Sequence, residues 1–252
     1  MTIDRIALIS DVHGNLTALQ AVLGDIAARG ITRIVNLGDF IGKGPRGQQA
    51  ADLCREVCEV NLRGNWEDFL PAEQPTYRDP SLWWWREELR AEQLPWLRTL
   101  PLSHDLLVGG RRVRLLHASA GDVHTKVYAD LSPVEFDGMF AATALTGSGP
   151  VPTVVGYGDI HDAYLSVRDG RTLFNVGSVG NALDEPIPSY AVLEGAVGSD
   201  LPGPFGLQFV RVPYDVEAEI QVAADVGMPG LSFWATELRT GVYRSLQPGW
   251  PS

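Results

Sequence analysis

Apolar residues recur with two different periods along this chain. Residues 5–9, 31–37 and 60–62 are short apolar runs bounded by polar positions, which predicts three buried strands. Between the first two, Leu16, Leu19, Leu23 and Ile26 return at helical spacing, with Gly30 placed to cap that helix. Residues 48–57 predict a second helix. Strand and helix therefore alternate, which predicts a parallel sheet covered by helices. Each strand runs into a polar loop, at residues 10–15, at residues 38–45 and at Gly64. Such sheets hold their ligands at the carboxyl ends of the strands.

The pattern changes at residues 67–104, which are rich in Pro, Trp and charge. Trp83, Trp84 and Trp85 fall within residues 81–100, a stretch expected to be largely helical. This region is read as a Trp-rich helical insertion or cap on a single domain spanning residues 1–252. Its tryptophans are expected to pack on the main body rather than touch a substrate, because large aromatics dominate burial. Strands then return. Residues 106–108 and 113–116 flank Gly109-Gly110, a hairpin signal. Further strands are expected at 153–155, 163–167, 173–176 and 190–193, with Asp169-Gly170 as a turn and a late helix over 216–226.

Composition narrows the function classes. With 45% hydrophobic and 20% charged residues over 252 positions, the chain reads as an ordinary soluble protein. A formal charge of -11 opposes broad contact with duplex nucleic acid. It does not oppose a phosphate ester in a metal-lined pocket, where bound cations dominate the field. No apolar run approaches the roughly 20 residues that span a bilayer. The amino terminus lacks the marks of a secretory signal. Cys54 and Cys58 read as two buried thiols on a helix, and a cytoplasmic location is expected.

The candidate chemistry lies where the strands end. Asp11 and His13 sit two residues apart after the first strand, a spacing that in extended backbone directs both side chains to one side. A carboxylate and an imidazole so placed suit one divalent ion. An N-cap role explains Asp11 or Asn15 equally well. Asp39 follows the second strand, and its two carboxylate oxygens suit a bridge between two ions. Asn65 follows the third strand and offers a neutral carbonyl oxygen, although Asn after Gly is also a common turn. His117 follows residues 113–116, and Asp159 with His161 repeats the opening two-residue spacing. Each of these residues has an ordinary structural explanation; their ordered recurrence at strand ends argues for a shared site.

These residues together resemble the calcineurin-like metallophosphoesterase superfamily. The resemblance rests on Asp11-Val-His-Gly-Asn15, Gly38-Asp-Phe-Ile-Gly-Lys-Gly-Pro45, Gly64-Asn-Trp-Glu67, His117 and Gly158-Asp-Ile-His161. Asn175-Val-Gly-Ser-Val-Gly180 and Ser189-Tyr-Ala-Val192 resemble its small bacterial and archaeal phosphodiesterase-like branch. The resemblance implies an α/β fold (α+β in some schemes), a four-layer αββα sandwich around two central mixed β-sheets. It implies that Asp11, His13, Asp39 and His161 hold a first ion, and that Asp39, Asn65, His117 and Asp159 hold a second.

Two positions depart from the family pattern. Asp159 stands where the family generally has His, which favours Mn²⁺ or Fe²⁺, with Mg²⁺, Ni²⁺ or Zn²⁺ as alternatives. Trp66 stands where the family commonly has a His that assists the leaving group, and indole has no comparable acidic proton.

The expected activity is hydrolysis of a small or nucleotide-like phosphate ester, a phosphodiester first, by hydroxide generated between two cations. Asp39, Asn65 and Asn15 are the expected catalytic residues. Asn15, Lys43, Arg63 and Trp66 are the expected substrate contacts. His124 and His104 are expected on the surface. Alternative readings are a phosphomonoesterase, a protein or dinucleoside-polyphosphate phosphatase, or a weakly catalytic metal-binding scaffold for a protein partner. Oligomeric state and the physiological substrate leave no mark in the sequence.

Overall fold

Strand β1 (Asp4–Ile9) is apolar on both faces: Ile6 and Leu8 point one way, Ala7 and Ile9 the other, and all four are buried. A strand of this kind must be covered twice. The computed structural model, which describes residues 2–72 and 81–250, shows both coverings. β1 pairs in parallel with β2 (Arg33–Asn36), which pairs in parallel with β3 (Val60–Asn61). On its other side β1 pairs antiparallel with β9 (Ser189–Gly195), and β9 with β10 (Phe205–Arg211).

The second sheet has the order β4-β5-β6-β8-β7. It contains β4 (Ser103–Val108), β5 (Arg111–Leu116), β6 (Val154–Tyr157), β7 (Ala163–Arg168) and β8 (Arg171–Val176). β5, β6 and β8 are parallel, and the hairpins β4–β5 and β7–β8 add an antiparallel strand at each edge. Ile6, Leu8, Val35 and Leu37 from the first sheet pack with Val113, Leu115, Val154 and Phe174 from the second. Each such side chain contributes about 1.5–3 kcal/mol relative to exposure.

Helices close the outer faces. Ala7, Ile9 and Ile34 pack under α1 (Leu16–Ala28) and α2 (Gly47–Val57), and the short α3 (Asn65–Phe69) follows β3. Leu116, Val155 and Leu173 pack against Phe136 of the short α6 (Pro133–Gly138) and against Phe140. The result is an α/β fold of two five-stranded mixed sheets flanked by helices, in agreement with the expected sandwich.

Residues 81–100 form two helices rather than one, α4 (Leu82–Glu88) and α5 (Gln93–Thr99), because Leu89 turns extended at ψ 140. Part of the expected 67–104 cap, residues 73–80, lies outside the described residues. The chain ends with α7 (Val216–Asp225), α8 (Leu231–Thr240) and a 3₁₀ turn at Arg244–Leu246. β10, α6 and α8 were not among the expected elements. Among the described residues no helix is long and apolar enough to cross a membrane.

Candidate metal centre

Six parallel strands, three from each sheet, point their carboxyl ends at one place. Their ladders continue into the loops. Asp11 N–H donates to the Gly38 carbonyl at 2.9 Å, His13 N–H to the Asp39 carbonyl at 2.9 Å, and Gly158 N–H to the His117 carbonyl at 2.8 Å. The loops are thus joined to one another by the same backbone pairing as the strands that deliver them.

The backbone is strained where the ligand candidates sit. Asp11, His13, Asp39, Asp159 and His161 all have positive φ, between 48° and 67°. Non-glycine residues rarely adopt this conformation, which costs of order 1–3 kcal/mol each and gathers at functional sites. This corrects the sequence reading of Asp11 and His13. Left-handed kinks, not the alternation of extended chain, bring their side chains together.

The Asp11, His13 and His161 side chains form one group. His161 Nε2 lies 3.3 Å from Asp11 Oδ1, and His13 Nε2 lies 3.6 Å from the same oxygen. The two Nε2 atoms face each other at 3.1 Å. Asp11, Asp39 and His117 form a second group. Asp39 reaches both: its Oδ2 is 3.8 Å from His13 Nε2, and its Oδ1 is 3.4 Å from His117 Nε2. Asp159 Oδ1 stands 3.8 Å from His117 Nε2. All of these side chains are buried. Asn65 lines the same cavity.

Several of the facing atoms have no partner in the protein. Asp11 Oδ1, Asn65 Oδ1, His117 Nε2 and Asp159 Oδ2 are buried without a hydrogen bond. Buried polar atoms are rarely left so, because each costs about 1–3 kcal/mol. The donor set is carboxylate, imidazole and amide oxygen, suited to divalent transition-metal ions. Those residues therefore fit a metal centre.

Hydrogen bonds behind the ligand atoms orient them. His117 Nδ1 lies 2.9 Å from the Leu37 carbonyl, and His161 Nδ1 lies 2.6 Å from the Asn181 carbonyl. A carbonyl only accepts, so each Nδ1 carries a proton and each Nε2 is left to ligate. Burial alone would lower the His117 pKa, but Asp39, Asp11 and Asp159 overcome it and push it up to about 10. A proton there meets the demand of the carboxylates for positive charge, and a cation competes with it for the same nitrogen. Burial, with Lys43 nearby, holds His13 well below its ordinary value. Burial, with Asp11 and Asp39 adding repulsion, raises Asp159.

Glu67 is the residue whose role the sequence did not reveal. Its buried carboxylate accepts N–H from Asp39 (2.7 Å), Phe40 (3.0 Å), Ile41 (3.3 Å) and Gly64 (2.9 Å). It ties the β2 and β3 loops together. Trp66 N–H adds a 2.9 Å bond to Asp39 Oδ1. Only glycine fits at position 64, since a Cβ there would fall 2.2 Å from Asp39 Oδ1.

The other expected contacts divide. Trp66 is buried, lines the cavity and meets His13 edge-on at 5.8 Å between ring centroids. Lys43 lines it too, and its Nζ donates to Asn181 Oδ1 at 3.0 Å. Burial pushes the Lys43 pKa down to about 8.

Asn15, expected to touch phosphate, instead caps α1. Its Oδ1 accepts the Ala18 N–H at 3.0 Å, and its Nδ2 donates to the Gly180 carbonyl and the Tyr214 hydroxyl at 2.9 Å each. Both amide hydrogens are committed there. Arg63 points at Asp68, 3.5 Å away, and is absent from the cavity wall.

His124 is exposed, as expected, and also lines the cavity, with its Nε2 2.9 Å from Asp68 Oδ2; His104, expected on the surface before a strand, is instead half-buried within β4. Trp85 both packs in the core and lines the cavity, donating to the Gly44 carbonyl at 3.2 Å. Lys126, Tyr243 and Arg244 complete the wall. Arg244 is fixed there by the buried Glu237, which accepts from its N–H at 2.8 Å and its Nη2 at 2.7 Å.

A family model described as the calcineurin-like phosphoesterase superfamily domain matches residues 5–196. An uncharacterized protein from Methanocaldococcus jannaschii is 29% identical over 240 residues, which span 86% of this chain and 90% of that protein. A metallophosphoesterase from Sphaerobacter thermophilus has a similar crystal structure, with a TM-score of 0.72 at 25% identity over 95% of this chain and 99% of that one. A hypothetical protein from Pyrococcus horikoshii shares the fold, with a TM-score of 0.73 at 16% identity over 95% and 99% of the two chains.

Proposed function

Since the chain belongs to the calcineurin-like phosphoesterase superfamily and is a metal-dependent phosphoester hydrolase, we propose that it cleaves a small phosphodiester at a centre for two divalent ions. The observation that carries this reading is the set of buried orphaned atoms, Asp11 Oδ1 and His117 Nε2 clustered with Asp39, and Asn65 Oδ1 and Asp159 Oδ2 on the wall of the cavity that Asp39 also lines. Asp11, His13, Asp39 and His161 would hold one ion. Asp39, Asn65, His117 and Asp159 would hold the other, with Asp11 near enough to Asp39 and His117 to share in it. When bound, such a pair activates water as the nucleophile and neutralises phosphate oxygens. Three carboxylates in the set favour Mn²⁺ or Fe²⁺.

The protein's own groups do the rest. Leu37 and Asn181 carbonyls fix the imidazole orientations, and Glu67 holds the Asp39 loop in place. Trp66 and Trp85 wall the cavity with indole and limit water access. We read residues 67–104 as the cap that supplies part of this wall. The two free thiols, Cys54 and Cys58, agree with a reducing compartment such as the cytoplasm.

Trp66 supports the diester reading, because it supplies no proton to a poor leaving group. One observation favours a second reading: the His124–Asp68 pair at the cavity edge has the make-up of a proton donor, which a monoesterase would use. Rates on bis-p-nitrophenyl phosphate and p-nitrophenyl phosphate with added Mn²⁺ separate them. The diester reading expects faster diester turnover that is insensitive to His124→Ala. Faster monoester turnover that collapses in that variant reverses the assignment.

A further inference from the structure

Of the twenty Lys and Arg residues in the sequence only two are lysines, Lys43 and Lys126, and both reach the same ring. Lys43 Nζ lies 5.3 Å and Lys126 Nζ 5.8 Å from the Tyr243 centroid. Among the described residues neither ammonium forms an ion pair, and Lys43 is held only by the neutral Asn181 amide and the ring. Two like charges gathered on one ring repel each other, and an anion placed between them relieves that repulsion.

The lysines also stand at a border. Inward lies the cavity of about 300 Å³ that contains His13, Asp39 and Asn65. Outward lies a larger one of about 590 Å³ that shares Lys43, Lys126, Tyr243, Asp159 and His161. It is walled further by Leu183, Val242 and Leu246, with Asp162 as an additional carboxylate. A volume of this order accepts a small organic group. Tyr243, Val242 and Leu246 lie beyond the 5–196 segment matched by the family model.

We propose that Lys43, Lys126 and Tyr243 form an anion subsite for a second negative group on the substrate, one carried on the leaving-group side of the scissile phosphoryl group. The inference rests on the metal-centre reading above. The scissile phosphoryl group occupies the inner cavity beside the ligands. The leaving group lies in the outer cavity against Leu183 and Val242, and its phosphate or carboxylate meets the two ammonium groups. The preferred substrate is therefore an ester with two separated anionic groups.

The test uses the Mn²⁺-loaded protein and three non-hydrolysable probes: phenylphosphonate, 4-phosphonobenzoate and 1,4-phenylenediphosphonate. Binding is read by calorimetry. The two probes with a second anion are expected to bind about tenfold more tightly than phenylphosphonate, the scale of one charge-assisted contact. Lys126→Ala should erase that difference, and whichever second anion loses more identifies the preferred group. Equal binding of all three probes by the wild type, or an advantage that survives in Lys126→Ala, overturns the subsite and leaves the metal centre standing. Failure of every phosphonate to bind the loaded protein overturns the metal-centre reading and the subsite with it.

Discussion

The carboxylate of Glu67 accepts the backbone N–H of Asp39 at 2.7 Å, joining the loop after β3 to the loop after β2. Three further amides, those of Phe40, Ile41 and Gly64, converge on the same group. Asp39 is the side chain that reaches both ligand groups, so Glu67 sets the geometry of the centre without facing it. Glu67→Gln replaces an acceptor oxygen with an amide that points hydrogens at hydrogens. We expect a loss of about 2–4 kcal/mol in thermal unfolding of the metal-free protein. Mn²⁺ affinity should fall roughly 10–100-fold in calorimetry, as outer-shell changes do. Wild-type affinity in this variant removes Glu67 from the account.

Gly64 makes the same point through space rather than charge. A methyl group at this position meets Asp39 Oδ1 at 2.2 Å and Asp39 N at 2.6 Å. Gly64→Ala must displace the carboxylate. Hydrolysis is expected to fall by at least about 100-fold, the cost of misplacing a reacting group by an ångström. The far-ultraviolet circular dichroism should stay unchanged. Activity within threefold of wild type, a loss of under roughly 1 kcal/mol, shows that the loop gives way without consequence.

Lys43 provides a pH test of stability. Burial, with Arg244 and Lys126 nearby, outweighs Glu237 and Asp11 and lowers its pKa from 10.5 to about 8. Below pH 8 the ammonium is charged in both states, so the folded state carries the full penalty of burying it, about 3 kcal/mol. As pH rises from 8 to 10.5 the folded protein releases the proton first and the penalty fades. Lys43→Met should therefore stabilise the fold by about 1–3 kcal/mol at pH 7, and the gain should shrink toward pH 10.5. Denaturant titrations at both pH values decide. A gain independent of pH contradicts the assignment.

Asp159 tests the metal preference. Its Oδ2 is one of the orphaned atoms, and its Oδ1 stands 3.8 Å from His117 Nε2. Asp159→His exchanges an oxygen donor for nitrogen and removes one negative charge from the site. After loading from an equimolar Mn²⁺ and Zn²⁺ mixture, the Zn²⁺:Mn²⁺ ratio in the protein should rise about tenfold. An unchanged ratio takes Asp159 out of the ligand set.

Much of this centre was legible because ligand-type residues recur at the same place in successive units. Asp11, Asp39, His117 and His161 each follow a strand, and parallel strands deliver their carboxyl ends to one edge. The two-residue spacing of Asp11 and His13 pointed to a shared site, but left-handed backbone is what makes them converge. Asn15 stood between an N-cap and a phosphate contact because both use the same amide, and only the partners of its atoms distinguish them. Tyr243 and Lys126 left no local signal. They come from irregular segments far apart in sequence, and Tyr243 precedes the 3₁₀ turn that the Glu237–Arg244 pair ties to α8. In the fold, α1 and the Gly109-Gly110 hairpin were evident from period and turn residues. Edge strand β10 was passed over although Phe205, Leu207 and Phe209 alternate with Gly206 and Gln208, and most of its side chains are only partly buried.

Asp39 is the residue on which the two-ion reading turns. The direct measurement is the Mn²⁺ stoichiometry of the purified protein after metal stripping and reloading, read by elemental analysis alongside Asp39→Ala. The account predicts two ions per chain in the wild type and fewer than one in the variant, with both proteins equally folded. Two ions retained in Asp39→Ala, or no ion retained by the wild type, contradicts it.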